Sequence, residues 1–169
     1  MKKLLLAAPL ALVLALAGCA ETSVEDVTKD EKSSATEKKD DSNKVYKVGD
    51  TVKIDGVKVT ITSAAFTDPA EYGAPEKEKV LTLDLKVENT NKESAFIDSS
   101  EFKLYDKDGE QFDDYFGYDD MAISADLNAG KKKSGKIYYD VTNESVYELV
   151  YEPLFAWDSK EIKWKIKVK

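Results

Sequence analysis

The C-terminal run Ile162-Lys163-Trp164-Lys165-Ile166-Lys167-Val168-Lys169 alternates apolar and charged residues without a break. Successive side chains of a strand point to opposite faces, so this spelling buries one face and wets the other. Wound as a helix, the same residues would leave no continuous apolar stripe. The period recurs in Val57-Lys58-Val59-Thr60-Ile61-Thr62, and again in Leu81, Leu83, Leu85 and Val87, with Thr82, Asp84, Lys86 and Glu88 on the other face. Shorter stretches extend the series: Thr51–Ile54, Phe102–Tyr105, Gln111–Asp113, Gly135–Val141 and Tyr147–Tyr151. The lysine row of the last strand is of the kind that blunts a sheet edge against aggregation.

Turn formers separate these runs. Asp55-Gly56 joins two of them as a tight hairpin, Lys107-Asp108-Gly109 does the same after Phe102–Tyr105, and Asn89-Thr90-Asn91 closes the longest. No window carries a helical stripe, although Tyr118–Leu127 has room for one turn. Seven or more short, punctuated strands predict an all-β, antiparallel sandwich over residues 45–169.

Several segments fall in one order. They are Val48-Gly49-Asp50-Thr51, Asp55-Gly56-Val57-Lys58-Val59-Thr60, Val87-Glu88-Asn89-Thr90, Phe102-Lys103-Leu104-Tyr105-Asp106-Lys107-Asp108-Gly109, and Leu127-Asn128-Ala129-Gly130-Lys131 leading into Gly135-Lys136-Ile137. Together they resemble a domain of unknown function common in lipoproteins of low-GC Gram-positive bacteria, grouped with a mycobacterial immunoprotective extracellular antigen. The resemblance spans roughly residues 47–168 and implies an immunoglobulin-like sandwich. It brings no catalytic residues with it.

The N-terminus reads as an address. Lys2 and Lys3 precede an apolar run, Leu4 to Leu16, which at thirteen residues falls short of the about 20 that span a bilayer. The run ends in Leu16-Ala17-Gly18-Cys19, which holds the sole cysteine and resembles the lipobox of bacterial lipoproteins. On that resemblance residues 1–18 are a signal peptide cut before Cys19, and the Cys19 sulfur carries a diacylglycerol. Two acyl chains meet the two-signal requirement for stable anchoring. The expected location is the outer face of the cell membrane. Residues 19–44 follow as a charged linker whose Ala20–Lys44 part lacks Leu, Ile and aromatic residues, a composition that predicts disorder. Fully stretched it would reach about 80–90 Å.

Charge and composition narrow the function. Removing residues 1–18 takes away Lys2 and Lys3, leaving 23 lysines against 33 carboxylates, a net of −10. No arginine is present to fork around phosphate, so nucleic acid is a poor partner. Histidine is absent as well, which removes the commonest general base. With Cys19 acylated no thiolate remains, and Met121 is the domain's only methionine, so a copper site lacks its soft ligands. The reading is therefore of a protein that is not an enzyme and carries no cofactor. Ser100-Glu101-Phe102-Lys103 spells S-x-x-K, but its Phe102 and Lys103 lie in a strand pattern, whereas a catalytic serine of that motif needs a helix start in a much larger domain. Asp106-Lys107-Asp108-Gly109 opens like a calcium loop, yet Gly117 stands where the bidentate Glu should be.

One segment remains as a candidate interaction loop: Asp113, Asp114, Tyr115, Phe116, Tyr118, Asp119 and Asp120, preceded by Phe112. Loop aromatics are contact material for a protein partner, here one from the envelope or the extracellular space. The carboxylates offer the alternative of a Ca²⁺ or small-ligand site, and the plainest expectation is that alternate aromatics cap the core. Phe155-Ala156-Trp157, after Pro153, is expected to plug one end of the sandwich.

Overall fold

In the computed structural model, which describes residues 24–28, 44–154 and 160–168, the alternating runs pair into two facing sheets and a small third one. The larger has the order β1 (Val24–Asp26), β3 (Thr51–Ile54), β4 (Val57–Thr67), β5 (Lys79–Asn89), β10 (Lys132–Val141) and β8 (Asp113–Asp114). The facing sheet runs β2 (Val45–Lys47), β12 (Ile162–Lys167), β11 (Val146–Tyr151) and β7 (Phe102–Tyr105). A short ribbon pairs β6 (Ala95–Asp98) with β9 (Ser124–Leu127). All pairings are antiparallel except β2 with β12. This is the all-β, immunoglobulin-like sandwich of the sequence reading.

Val57, Val59 and Ile61 of β4 and Leu81, Leu83, Leu85 and Val87 of β5 point inward to meet Leu104, Leu149, Trp164 and Ile166 from the facing sheet in one core. A bulge after Ile61 turns Ala64 and Phe66, in place of Ala65, toward it. Burying each Leu or Ile there contributes about 1.5–3 kcal/mol. Asp55 and Gly56 both adopt positive φ, 47° and 77°, the left-handed pair that a two-residue hairpin demands.

The structure corrects three expectations. The lysines of β12 face outward, but that strand lies between β2 and β11 and guards no edge. Tyr118–Leu127 holds no helical turn; its last four residues form β9. Among the described residues the one short helix is a 3₁₀ turn at Ser99–Glu101. The linker is not wholly without structure, because Val24–Asp26 pairs antiparallel with β3, Val24 opposite Ile54 and Asp26 opposite Val52. Val24 is completely buried, and Glu25 pairs with Lys53 at 3.1 Å. Three residues with a single core-facing valine make no periodic signal; pairing with an open edge makes the strand. The expected signal peptide over residues 1–18, the lipobox-like Leu16-Ala17-Gly18-Cys19 and Phe155-Ala156-Trp157 lie outside the described residues.

The register also assigns the sandwich its ends. Asp55-Gly56, Asn89-Thr90-Asn91 and Asn128–Lys131 gather at one, where Thr90 N and Asn91 Nδ2 donate to the carbonyls of Gly56 and Asp55. β4 then runs the length of the sheet, about 33 Å for ten residue steps, to the loop 68–78 at the other end.

Candidate functional site

The 112–120 segment lies at the end opposite the Asp55-Gly56 hairpin, and it does not act as one loop. Phe112 is buried, and its N–H donates to Leu104 O (2.9 Å), so the hairpin after β7 pairs as the sequence predicts. The chain then crosses to the larger sheet, where Asp113 and Asp114 pair with Asp140 and Tyr139. Phe112 packs edge-on against Tyr147, ring centres 5.6 Å apart.

Beyond Asp114 the chain folds over the outer face of the larger sheet. Tyr115, Tyr118, Tyr138 and Val80 form a second, small apolar cluster there. This explains why Thr82, on the polar face by its period, is buried: its Oγ1 bonds that of Thr67 at 2.7 Å. Tyr115 accepts a hydrogen bond from Ala70 N (2.8 Å) and donates its own to Gly73 O. Tyr118 donates to Asp68 O (2.5 Å) and bonds Thr67 Oγ1. Asp140, buried on β10, accepts from the N–H groups of Glu76 (2.5 Å) and Lys77 (3.0 Å). Tyr115 and Tyr118 thus rivet the loop 68–77 to the segment that follows β8, and Asp140 rivets it to β10.

Tyr115 and Tyr118 were candidate contact residues; the structure makes them the fixings. Among the described residues the aromatics left in solvent are Phe116, 85% exposed, and Tyr72, 94% exposed. Each is followed by a glycine, and these glycines touch: a Cβ on Gly73 would fall 2.7 Å from the Gly117 Cα. The backbones therefore meet at the two glycines, and both aromatics border one open cleft. The alternation from Phe112 onward is too short to tell Tyr115 from Phe116. Tyr72 escapes the sequence reading because Pro69-Ala70-Glu71-Tyr72-Gly73-Ala74-Pro75 has no period; its signal is a bulky aromatic held between two prolines.

Residues 68–76 and 113–121 together carry seven carboxylates and no lysine. They are dispersed. Asp113 and Asp119 face solvent, and Asp120 accepts from Tyr138 Oη (3.1 Å) with Lys136 Nζ 3.7 Å away. Asp114 is half-buried, and burial, with Asp113 and Asp98 beside it, pushes its carboxyl up. Burial and the bond to Asp120 raise the Tyr138 hydroxyl to about 12. Among the described residues no three acidic side chains are gathered so as to hold a metal ion.

The enzyme-like and the calcium-loop-like spellings have other employment. Ser100 Oγ donates to Asp98 (2.7 Å), whereas Lys103 Nζ reaches Glu152 (2.5 Å). Asp106 turns its carboxylate onto the N–H groups of Asp108 and Glu110, both at 2.8 Å.

The Tyr115 rivet is testable. Tyr115→Phe removes one donor and one acceptor from partly buried backbone partners, an expected loss of about 1–3 kcal/mol. Amide exchange at Ala70 should quicken with it. Unaltered exchange there would mean that the loop is held by other contacts.

A two-sheet, antiparallel sandwich with a loop-borne aromatic pair at one end defines the class: an immunoglobulin-like β-sandwich module. Residues 46–162 match the family described as "Domain of unknown function (DUF4352)", and the chain belongs to it. It is 30% identical over 109 residues to the uncharacterized lipoprotein YcdA of Bacillus subtilis (strain 168), covering 63% of this chain and 31% of that one. The crystal structure of the B. subtilis ycdA lipoprotein superposes with a TM-score of 0.59, at 28% identity, over 67% of this chain and 37% of that one. This chain thus spans about a third of that relative's length. The B. subtilis yjhA protein superposes at 0.57 with 23% identity, over 74% of this chain and all of that one. MPT63, a secreted protein from Mycobacterium tuberculosis, superposes at 0.48 with 17% identity, over 69% of this chain and 83% of that one.

Proposed function

We propose that this protein is a cell-surface lipoprotein, anchored through acyl chains on Cys19, that presents a non-catalytic binding module to an envelope or extracellular protein partner. The observation that carries the reading is the exposure of Tyr72 and Phe116 on an immobilised base. Exposed apolar residues scattered singly are ordinary; two aromatics brought together from separate loops form a patch. Interface cores are enriched in such residues. Loops already fixed by Tyr115, Tyr118 and Asp140 forfeit little entropy when a partner docks. The carboxylates around the pair favour a partner with a basic rim, which speeds encounter more than it tightens the complex. The lipobox spelling and the lipoprotein relative support the anchor.

The test is a paired capture from the cell envelope with the intact domain and the double variant Y72S/F116S. Both side chains lie in solvent, so the variant should keep its melting temperature while the captured partner is lost. Capture of the same proteins by both forms would remove the aromatic pair from the function.

A further inference from the structure

The edge strand β1 has a consequence for where the binding end points. Its first residue, Val24, lies opposite Ile54, next to the Asp55-Gly56 hairpin. The chain therefore enters the sandwich at the hairpin end, and Tyr72 and Phe116 occupy the opposite end, about 33 Å further along β4. Between Cys19 and Val24 lie four residues, 20–23, which reach about 17 Å at most.

We propose that β1 is a stem that sets the domain upright on the bilayer, hairpin end inward, so that Tyr72 and Phe116 face a partner approaching from the wall or exterior side. The proposal rests on the reading of Cys19 as the lipid-bearing residue. A 25-residue leash would let either end meet the membrane. Pairing of Val24–Asp26 with β3 shortens the leash to a length smaller than the domain, so the domain cannot invert to seat its aromatic end on the headgroups. The carboxylates of loops 68–76 and 113–121, with no lysine among them, oppose its tipping onto an anionic bilayer. The stem is held by more than backbone pairing. Val24 enters the core, Glu25 meets Lys53, and Lys44 bonds Asp26 across the stem. Thr28 Oγ1 accepts from Thr51 N at 2.9 Å, and Val27 N donates to Thr51 O at 3.0 Å.

The experiment uses the full lipidated chain in phosphatidylcholine–phosphatidylglycerol vesicles with an energy acceptor on the headgroups. A donor dye is attached through Lys92→Cys, at the hairpin end, or through Glu71→Cys, beside Tyr72; acylated Cys19 does not compete for the dye. Transfer from position 92 should exceed that from position 71 by roughly threefold or more, given the height difference of about 33 Å. Val24→Asp, which places a charge in the core edge, should bring the two efficiencies close to parity. Inserting twelve Gly-Ser residues between Ala20 and Glu21 should do the same without touching the fold. Equal transfer in the unaltered chain, or a contrast that survives both the substitution and the insertion, overturns the stem. Intact mass of the membrane-extracted chain separates the causes of failure. A chain lacking diacylglycerol defeats the anchor reading and the stem with it; a lipidated chain with equal transfer defeats the stem alone.

Discussion

Trp164→Ala should be among the most damaging single substitutions in the domain, costing about 3–5 kcal/mol of a total stability of the order of 5–15 kcal/mol. Trp164 is fully buried in β12, the second strand of its sheet, with Leu149 opposite on β11 and Tyr46 opposite on β2. The Tyr46 and Trp164 ring centres are 6.0 Å apart at an angle of 44°. Removing the indole opens a void against both neighbouring strands, and a core so closely packed relaxes only in part. Urea unfolding should show a lower midpoint at an unchanged slope. Trp164→Phe should cost much less than Trp164→Ala. The indole N–H is buried without an acceptor among the described residues, so the phenyl ring gives up part of the volume but no hydrogen bond. Equal losses for the two variants would show that the N–H has a partner worth as much as the ring.

The same residue shows why so much of the fold is legible in the sequence. Trp164 sits in an unbroken alternation, and wherever alternation is sustained the strands lie where the period puts them. Turn chemistry at Asp55-Gly56 and Asn89 fixes how they join. What escapes is structure made by partners and not by pattern. β1 has too few residues to show a period, and it forms because β3 offers an open edge. Ser124-Ala125-Asp126-Leu127 is polar enough to pass for a turn, but β6 gives it a strand to pair with. The candidate binding end is legible in position and not in detail. The 112–120 segment is named by its composition, yet which tyrosines point inward depends on the loop 68–77, 40 and more residues away in sequence. Tyr115 and Tyr118 become fixings because Gly73 and Asp68 supply carbonyls there. Tyr72 enters the site only through the meeting of Gly73 with Gly117.

Removal of the Glu101 carboxylate should have the next largest effect, and one that changes with pH. Glu101 ends the 3₁₀ turn between β6 and β7 and is 2% exposed. Its carboxylate accepts from Asp98 N and from Leu154 N, both at 3.0 Å, while its backbone carbonyl accepts from Glu152 N at 2.8 Å. One residue thus ties the turn to the chain leaving β11. Glu101→Ala orphans two N–H groups and should cost about 2–4 kcal/mol, at about 1–2 for each. Glu101→Gln keeps an acceptor for only one of them and should fall between.

Burial pushes the Glu101 carboxyl up; the two N–H groups pull it down, and burial prevails. The folded chain therefore holds this proton more tightly than the unfolded one. The resulting stabilisation is complete below the ordinary value of 4.5 and is lost as pH rises through the raised folded value. Glutamine does not titrate, and the other carboxylates, common to both chains, largely cancel in the comparison. The gap in unfolding free energy between the unsubstituted chain and Glu101→Gln should consequently be widest in acid and narrow toward neutrality. Urea unfolding of both chains from about pH 3.5 to 7 measures it. A constant gap would show that Glu101 titrates alike in the folded and unfolded chain. A gap that widens with pH would show that the two N–H groups, and not burial, govern the carboxyl.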